Sequence, residues 1–186
     1  MKVTKTYIDG LLIIEPDIFE DDRGYFFESF NKHKYAEIGI IDNFVQDNQS
    51  CSQKGTIRGL HYQIGKFAQG KLVRVVSGRV IDYAVDIRFG SPTFGKYVAV
   101  ELSAENQKQF WIPAGFAHGF EALEDNTVLQ YKCTNFYSKQ HERGIIYNDP
   151  EIEIKWQSRL CHLSQKDKEN VRFNIIKKDF TIEEKL

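Results

Sequence analysis

Short apolar-rich runs separated by turn residues dominate the chain from Leu11 to Tyr147. They read LLIIEP, YFFESF, KLVRVVSG, RVIDYAVDIR, KYVAVELS, QFWIP, GFEAL and VLQYKCTNFY. Gly, Pro, Asn and Asp cluster between them, as tight turns require. In VIDYAVDI a period of two puts Ile81, Tyr83, Val85 and Ile87 on one face and Val80, Asp82, Ala84 and Asp86 on the other. Ser77-Gly78, between two such runs, predicts a tight hairpin. Helical signals are few. NKHKYAEIG predicts one short helix ending near Gly39, and LSQKDKEN a turn or short helix. Many short strands joined by glycine-rich turns predict a mainly β sandwich or barrel, not a parallel sheet wrapped by helices. The more polar C-terminal stretch predicts an arm packed on that barrel. The expectation is one domain over 1–186, with a barrel core at about 11–150 and an arm at about 151–186.

Composition narrows the function. The chain has 186 residues, 41% of them hydrophobic, enough for one domain with a real core. No run approaches the roughly eighteen apolar residues of a membrane span. The N-terminus lacks the apolar core and cleavage site of a signal peptide, so a cytoplasmic location is expected. A net charge of −1, with both signs intermixed, argues against a dedicated nucleic-acid or membrane-surface binder. The three cysteines, Cys51, Cys133 and Cys161, form no CxxC pair, and reduced thiols are expected.

Candidate chemistry centres on GTIRGLHYQ, Gly55 to Gln63. His61 titrates near neutral pH and suits proton transfer, although a lone strand histidine also serves as a buried backbone partner. Arg58 offers a planar fork for an anion. Strand parity puts Arg58 and His61 on opposite faces unless Gly59 hosts a bulge. PAGFAHGF has the PxGxxH spacing of the second cupin motif, which brings in His118. The HxH pair of the first motif is absent, so a metal centre is not expected. Lys71, at a strand start, is either solvated or a buried point charge able to meet an oxyanion. Tyr131 shares an inward face with Leu129 and Cys133, as a core tyrosine or as a proton donor. DDRGYFFE reads as a turn and strand carrying Arg23 and Glu28. VQDNQS reads as a polar loop carrying Gln46, Asp47 and Asn48.

In chain order, DDRGYFFESF, VQDNQS, RGLHYQ, GKLVRVVSGRVIDYAVDIRFGSPTFGKY, ELSAENQKQFWIPAGFAHGF, YKCTNFYSKQHERGI, YNDPEIEIKW and LSQKD resemble the dTDP-4-dehydrorhamnose 3,5-epimerase family. The resemblance runs from about Leu11 to Asp167. It implies a cupin-type jelly-roll barrel acting as a homodimer, without metal or cofactor, on a dTDP-linked 4-keto-6-deoxy sugar. It implies that His61 is the base, Tyr131 the acid, Lys71 the stabiliser of the enolate oxygen and Asp167 the carboxylate paired with His61. The family's nucleotide-sugar contacts fall on Arg23, Glu28, Gln46, Asp47, Asn48, Arg58, Lys71, His118, Glu142 and Lys166. Three rivals stand beside this reading. They are a single-site epimerase or 3,4-ketoisomerase on a related sugar, a metal-dependent cupin, and a non-catalytic sugar-nucleotide binder.

Overall fold

The computed structural model describes residues 1–158 and 162–182. Its strands are β1 (Lys2–Lys5), β2 (Leu12–Glu15), β3 (Phe19–Asp21), β4 (Gly24–Phe26), β5 (Gln46–Ser52), β6 (Ile57–Gln63) and β7 (Lys71–Ser77). They continue with β8 (Arg79–Asp86), β9 (Tyr97–Ser103), β10 (Gln109–Ile112), β11 (Phe116–Ala122), β12 (Thr127–Cys133) and β13 (Glu142–Gly144). Two short helices accompany them, α1 (Lys32–Glu37) and α2 (Gln165–Glu169). One sheet has the order β1-β2-β10-β7-β12-β5, the other β13-β6-β11-β8-β9, and β3-β4 form a separate ribbon. Every pairing within them is antiparallel. This is the expected jelly-roll barrel of cupin type. Among the described residues, no helix is long and apolar enough to cross a membrane.

The core lies between the two sheets. Val73, Val75, Phe110, Ile112 and Leu129 of the first meet Val80, Ala84, Val98, Leu102, Phe116 and Phe120 of the second. The parity read in VIDYAVDI holds: Val80 and Ala84 face this core, whereas Val85 and Ile87 face outward. Yet β8 is buried along nearly its whole length. The C-terminal arm covers its outer side, setting Ile152 and Phe173 against Leu60, Tyr62, Val85 and Ala117. Two such buried side chains contribute about 3–6 kcal/mol, enough to hold the arm against the barrel. The outer face of the first sheet is covered locally by Tyr35 of α1 and Ile40, packed on Ile14, Leu72 and Trp111. Asn31 caps α1, its side chain accepting from the backbone N–H groups of His33 and Lys34.

Two expectations need correction. The turn at Ser77-Gly78 is tight, but β7 and β8 do not form a hairpin. β7 pairs with β10 and β12, and β8 with β11 and β9, so the chain crosses between sheets at this point. Gly78 has φ +78°, and a Cβ there would lie 2.4 Å from Oγ1 of Thr127. A corner and a hairpin need the same glycine, so the local sequence does not separate them. Second, Gln46 to Asn48 belong to β5, not to a loop. The strand's inward face lines a cavity and its outer face meets solvent, so neither side is apolar and no alternation marks it.

Candidate active site

The site begins with a bulge in β6. Arg58 faces Phe120 and His61 faces His118, so β6 has two intervening residues where β11 has one. Gly59 makes this possible. Its φ is +129°, and a Cβ would sit 2.5 Å from the Cα of Gly119. The bulge resets the parity of the strand. Leu60 and Tyr62 pack under the arm, while His61 turns into the cavity. Arg58 now shares the inward side, close enough for its charge to act on Tyr131 of the facing sheet. Its guanidinium donates to Oγ of Ser52 (3.1 Å) and the carbonyl of Cys51 (3.2 Å).

The cavity, about 240 Å³, is lined by Gln46, Asn48, His61, Gln63, Gln69, Lys71, Tyr131, Tyr137 and Glu142, with Tyr62 at its wall. Nε2 of His61 lies 2.5 Å from Oδ1 of Asp167. Asp167 is supplied by α2, whose N-cap Ser164 donates to its Oδ2 at 2.8 Å. Burial works against ionising this carboxyl. The hydrogen bonds from His61 and Ser164 and the charges of His61 and Lys166 outweigh it and hold the group below its ordinary value. The arm therefore carries the partner of a barrel histidine.

The facing wall comes from β7 and β12. Register sets Tyr131 opposite Asn48 on one side and Val73 on the other. Nζ of Lys71 stands 5.7 Å from the Tyr131 ring centroid. Burial pushes the Tyr131 hydroxyl up to about 12, so it stays protonated through neutral pH. Burial pulls the Lys71 ammonium down, opposed by Cys133, Asp82 and Glu142. The Cys133 thiol is buried and accepts from Asn48 Nδ2 at 3.5 Å. Cys51 is exposed and unpaired with another cysteine. Cys161 lies outside the described residues.

The other expected contact residues divide into groups. Glu142 and Lys166 meet at the cavity rim, with Lys166 Nζ 2.5 Å from Glu142 Oε1, and Tyr137 donates to Glu142 Oε2 at 2.9 Å. His118 lies deeper, its Nε2 2.9 Å from Oδ2 of Asp82. Asp47 pairs with Lys132 at 3.0 Å, in an adjoining cleft of about 400 Å³ that shares Asn48 and Tyr131 with this cavity. Arg23 and Glu28 are not brought to this cavity. Arg23 is on the β3–β4 ribbon, 90% exposed, and binds Asp21; Glu28 pairs with Lys34 and Asn31. The ribbon rests by Tyr25 on Gln107, beyond the Gln109 end of β10. Lys71 sits at the other end of that pairing, opposite Ile112.

Gln69, Tyr137 and Asp82 escaped the sequence reading as site residues. Tyr137 lies in TNFY, read only as a strand continuation. Asp82 was assigned to a face but not to a role, although a carboxylate between Val80 and Ala84 on an inward face needs a partner. Among the described residues, no three His, Cys, Asp or Glu side chains gather as a metal-binding set.

A carboxylate-backed histidine on one wall and a protonated phenol with a half-buried ammonium on the other define an acid–base isomerase of the cupin-barrel class. Comparison with known proteins is specific. The family model for dTDP-4-dehydrorhamnose 3,5-epimerase matches residues 5–174. The chain is 55% identical over 174 residues to dTDP-4-dehydrorhamnose 3,5-epimerase of Shigella flexneri, covering 93% of this chain and 96% of that one. The enzyme of the same name from Pseudomonas aeruginosa is 51% identical over 175 residues, covering 93% and 96%. A crystal structure of dTDP-6-deoxy-D-glucose-3,5-epimerase from Legionella pneumophila, in complex with dTDP-4-keto-L-rhamnose, superposes with a TM-score of 0.92. Its identity is 52%, and 95% and 94% of the two chains are covered. The chain belongs to the dTDP-4-dehydrorhamnose 3,5-epimerase family.

Proposed function

We infer that this chain binds dTDP-4-dehydro-6-deoxy-D-glucose and inverts carbons 3 and 5 to give dTDP-4-dehydro-L-rhamnose. The observation that carries the reading is the placement of His61 and Tyr131 on opposite walls of one cavity. A ketone at carbon 4 acidifies the hydrogens on both neighbours. His61, with Nε2 committed to Asp167, takes a proton on its other ring nitrogen. The enolate charge collects on the carbon-4 oxygen, where Lys71 meets it. Tyr131 returns a proton from the opposite face and so inverts the centre. Asp167 orients the imidazole and stabilises its protonated form. No step calls on a metal or redox cofactor.

The nucleotide diphosphate is the handle. Arg58 clamps its oxygens with paired donors. Gln46, Asn48, His118, Glu142 and Lys166 complete the contacts, and binding energy from the nucleotide holds the sugar in register. Arg23 and Glu28 act in the site of a second protomer. Their ribbon exposes Phe19, Tyr25 and Phe26 to solvent, a patch that calls for a covering surface. The working unit is therefore a homodimer of single-domain chains, located in the cytoplasm. Asp47 supports the β5 strand from outside through Lys132.

Proton NMR of the enzyme with this substrate in deuterated water tests the reading. Deuterium at both carbon 3 and carbon 5 is expected. Exchange at one carbon alone would replace it with a single-site epimerase, or with a 3,4-ketoisomerase if the carbonyl moves. No exchange would overturn it.

A further inference from the structure

Asp82 has no place in the scheme above, yet it is a buried carboxylate in direct contact with His118. It is fully buried on β8, among the core side chains Val80 and Ala84. Both oxygens approach Nε2 of His118, at 3.0 and 2.9 Å. The strand register places Asp82 opposite Phe120, two residues along β11 from His118, so the contact runs diagonally across one face of the sheet. A buried carboxylate without a partner costs several kcal/mol, and a purely apolar residue would fit between Val80 and Ala84.

The geometry restricts His118. A carboxylate accepts only, so Nε2 carries the proton and the neutral ring keeps Nδ1 as its acceptor. His118 also stands edge-on to Tyr131, with centroids 6.2 Å apart. Burial pushes the Asp82 carboxyl up, opposed by His118 and Lys71, which favour its charged form; that charge in turn favours the Lys71 ammonium. Lys71 in turn opposes a positive charge on His118, as does His61. One carboxylate thus favours the charged form of both Lys71 and His118.

We propose that Asp82 is a positioning residue for the reaction: it fixes the tautomer and orientation of His118 and supplies the carboxylate that balances the Lys71 ammonium where the enolate oxygen forms. This rests on the proposed epimerase reading and extends it to a second histidine–carboxylate pair, distinct from His61 and Asp167. Besides Asp82, the groups facing Lys71 are Cys133 and Tyr131 from β12, Glu142 from β13 and His118 from β11. Cys133 and Glu142 also favour its charged form. Losing Asp82 therefore weakens the ammonium without abolishing it.

The test is Asp82→Asn in the full chain, which keeps the size and removes the charge. The expected loss in kcat is about 10- to 100-fold, as for other groups that orient a reacting side chain. KM stays within a factor of about two to three, because His118 is the one proposed substrate contact that Asp82 touches and an Asn side chain keeps it in place. The alkaline limb of kcat/KM moves to lower pH, since an opposite charge has left Lys71. Unchanged kcat with an unchanged limb would overturn the proposal. So would equal losses in both parameters that merely track a lower Tm. If the variant does not fold, 15N NMR of the unmodified enzyme decides, with His118 assigned by comparison with His118→Asn. Protonation at Nε2 is expected, and an Nδ1-protonated neutral ring would refute it. Absence of any turnover by the unmodified enzyme would instead overturn the epimerase reading itself.

Discussion

His61 and Asp167 stand 106 residues apart in the chain and 2.5 Å apart in space. The barrel supplies the imidazole and the C-terminal arm supplies the carboxylate. On the proposed mechanism, docking of the arm through Phe173 and Ile152 is a condition for catalysis and not only for stability. Asp167→Asn is predicted to lower kcat by about 100- to 10,000-fold, the span that general acid–base catalysis covers, with nucleotide affinity preserved. Steady-state kinetics beside a dTDP titration checks this.

The same carboxyl gives a pH signature. Its folded-state value is held below the ordinary 3.8. A depressed carboxyl adds stability that is fully present above the unfolded value and is lost as pH falls through the folded one. The Tm difference between the unmodified protein and Asp167→Asn should be constant above about pH 5 and shrink below about pH 4. A difference that instead grows on acidification would contradict the assignment.

Lys71 must be charged to meet an enolate. Burial lowers its value from 10.5, so kcat/KM should fall on the alkaline side at a pH below 10.5. Lys71→Met is predicted to cost about 100- to 1,000-fold in kcat, as loss of an oxyanion donor does, and to erase that alkaline limb. A limb that survives the substitution would belong to another group.

Gly59→Ala tests the bulge. The left-handed backbone there disfavours a side chain, and the added Cβ meets Gly119 and the His118 carbonyl at 2.5 and 2.7 Å. A loss of about 1–3 kcal/mol is expected from the strain alone, or about 2–4 °C in Tm per kcal/mol at this chain length. Activity should fall further than stability, because the same bulge aims His61 into the cavity. Thermal melts and kinetics on one preparation separate the two effects.

Exchange of protomers tests whether the site is shared. Arg23→Ala and His61→Asn should each be poorly active alone at low substrate. Mixed dimers of the two should regain activity, since one of their two sites then holds an intact His61 and an intact Arg23. No recovery after subunit exchange would place Arg23 in the site of its own chain.

Much of this architecture is legible in the residues themselves. The period of two in VIDYAVDI gives the two faces of β8, and the inward run Leu129, Tyr131, Cys133 gives the wall opposite His61. Gly59 flags the bulge that brings Arg58 and His61 to one side. What the residues hide has physical causes. β5 is polar on both faces because one borders a wet cavity, so Gln46 to Asn48 read as a loop. Gly78 suits a corner as well as a hairpin. The Asp167 partnership depends on how the arm folds back, which local pattern does not record. It came from resemblance, as did the roles of Arg23 and Glu28. The period of two puts Asp82 on one face with Val80 and Ala84 without saying that this face is inward, and its partner His118 lies 36 residues away on the next strand.

The most direct test of the central claim, base and acid on opposite walls, is Tyr131→Phe followed by proton NMR in deuterated water. His61 can still remove a proton and return a deuteron from its own side. The account predicts deuterium entering the substrate with retained configuration while epimerised product falls by about 100- to 10,000-fold. Inversion at an undiminished rate in this variant would show that Tyr131 is not the acid and would contradict the account.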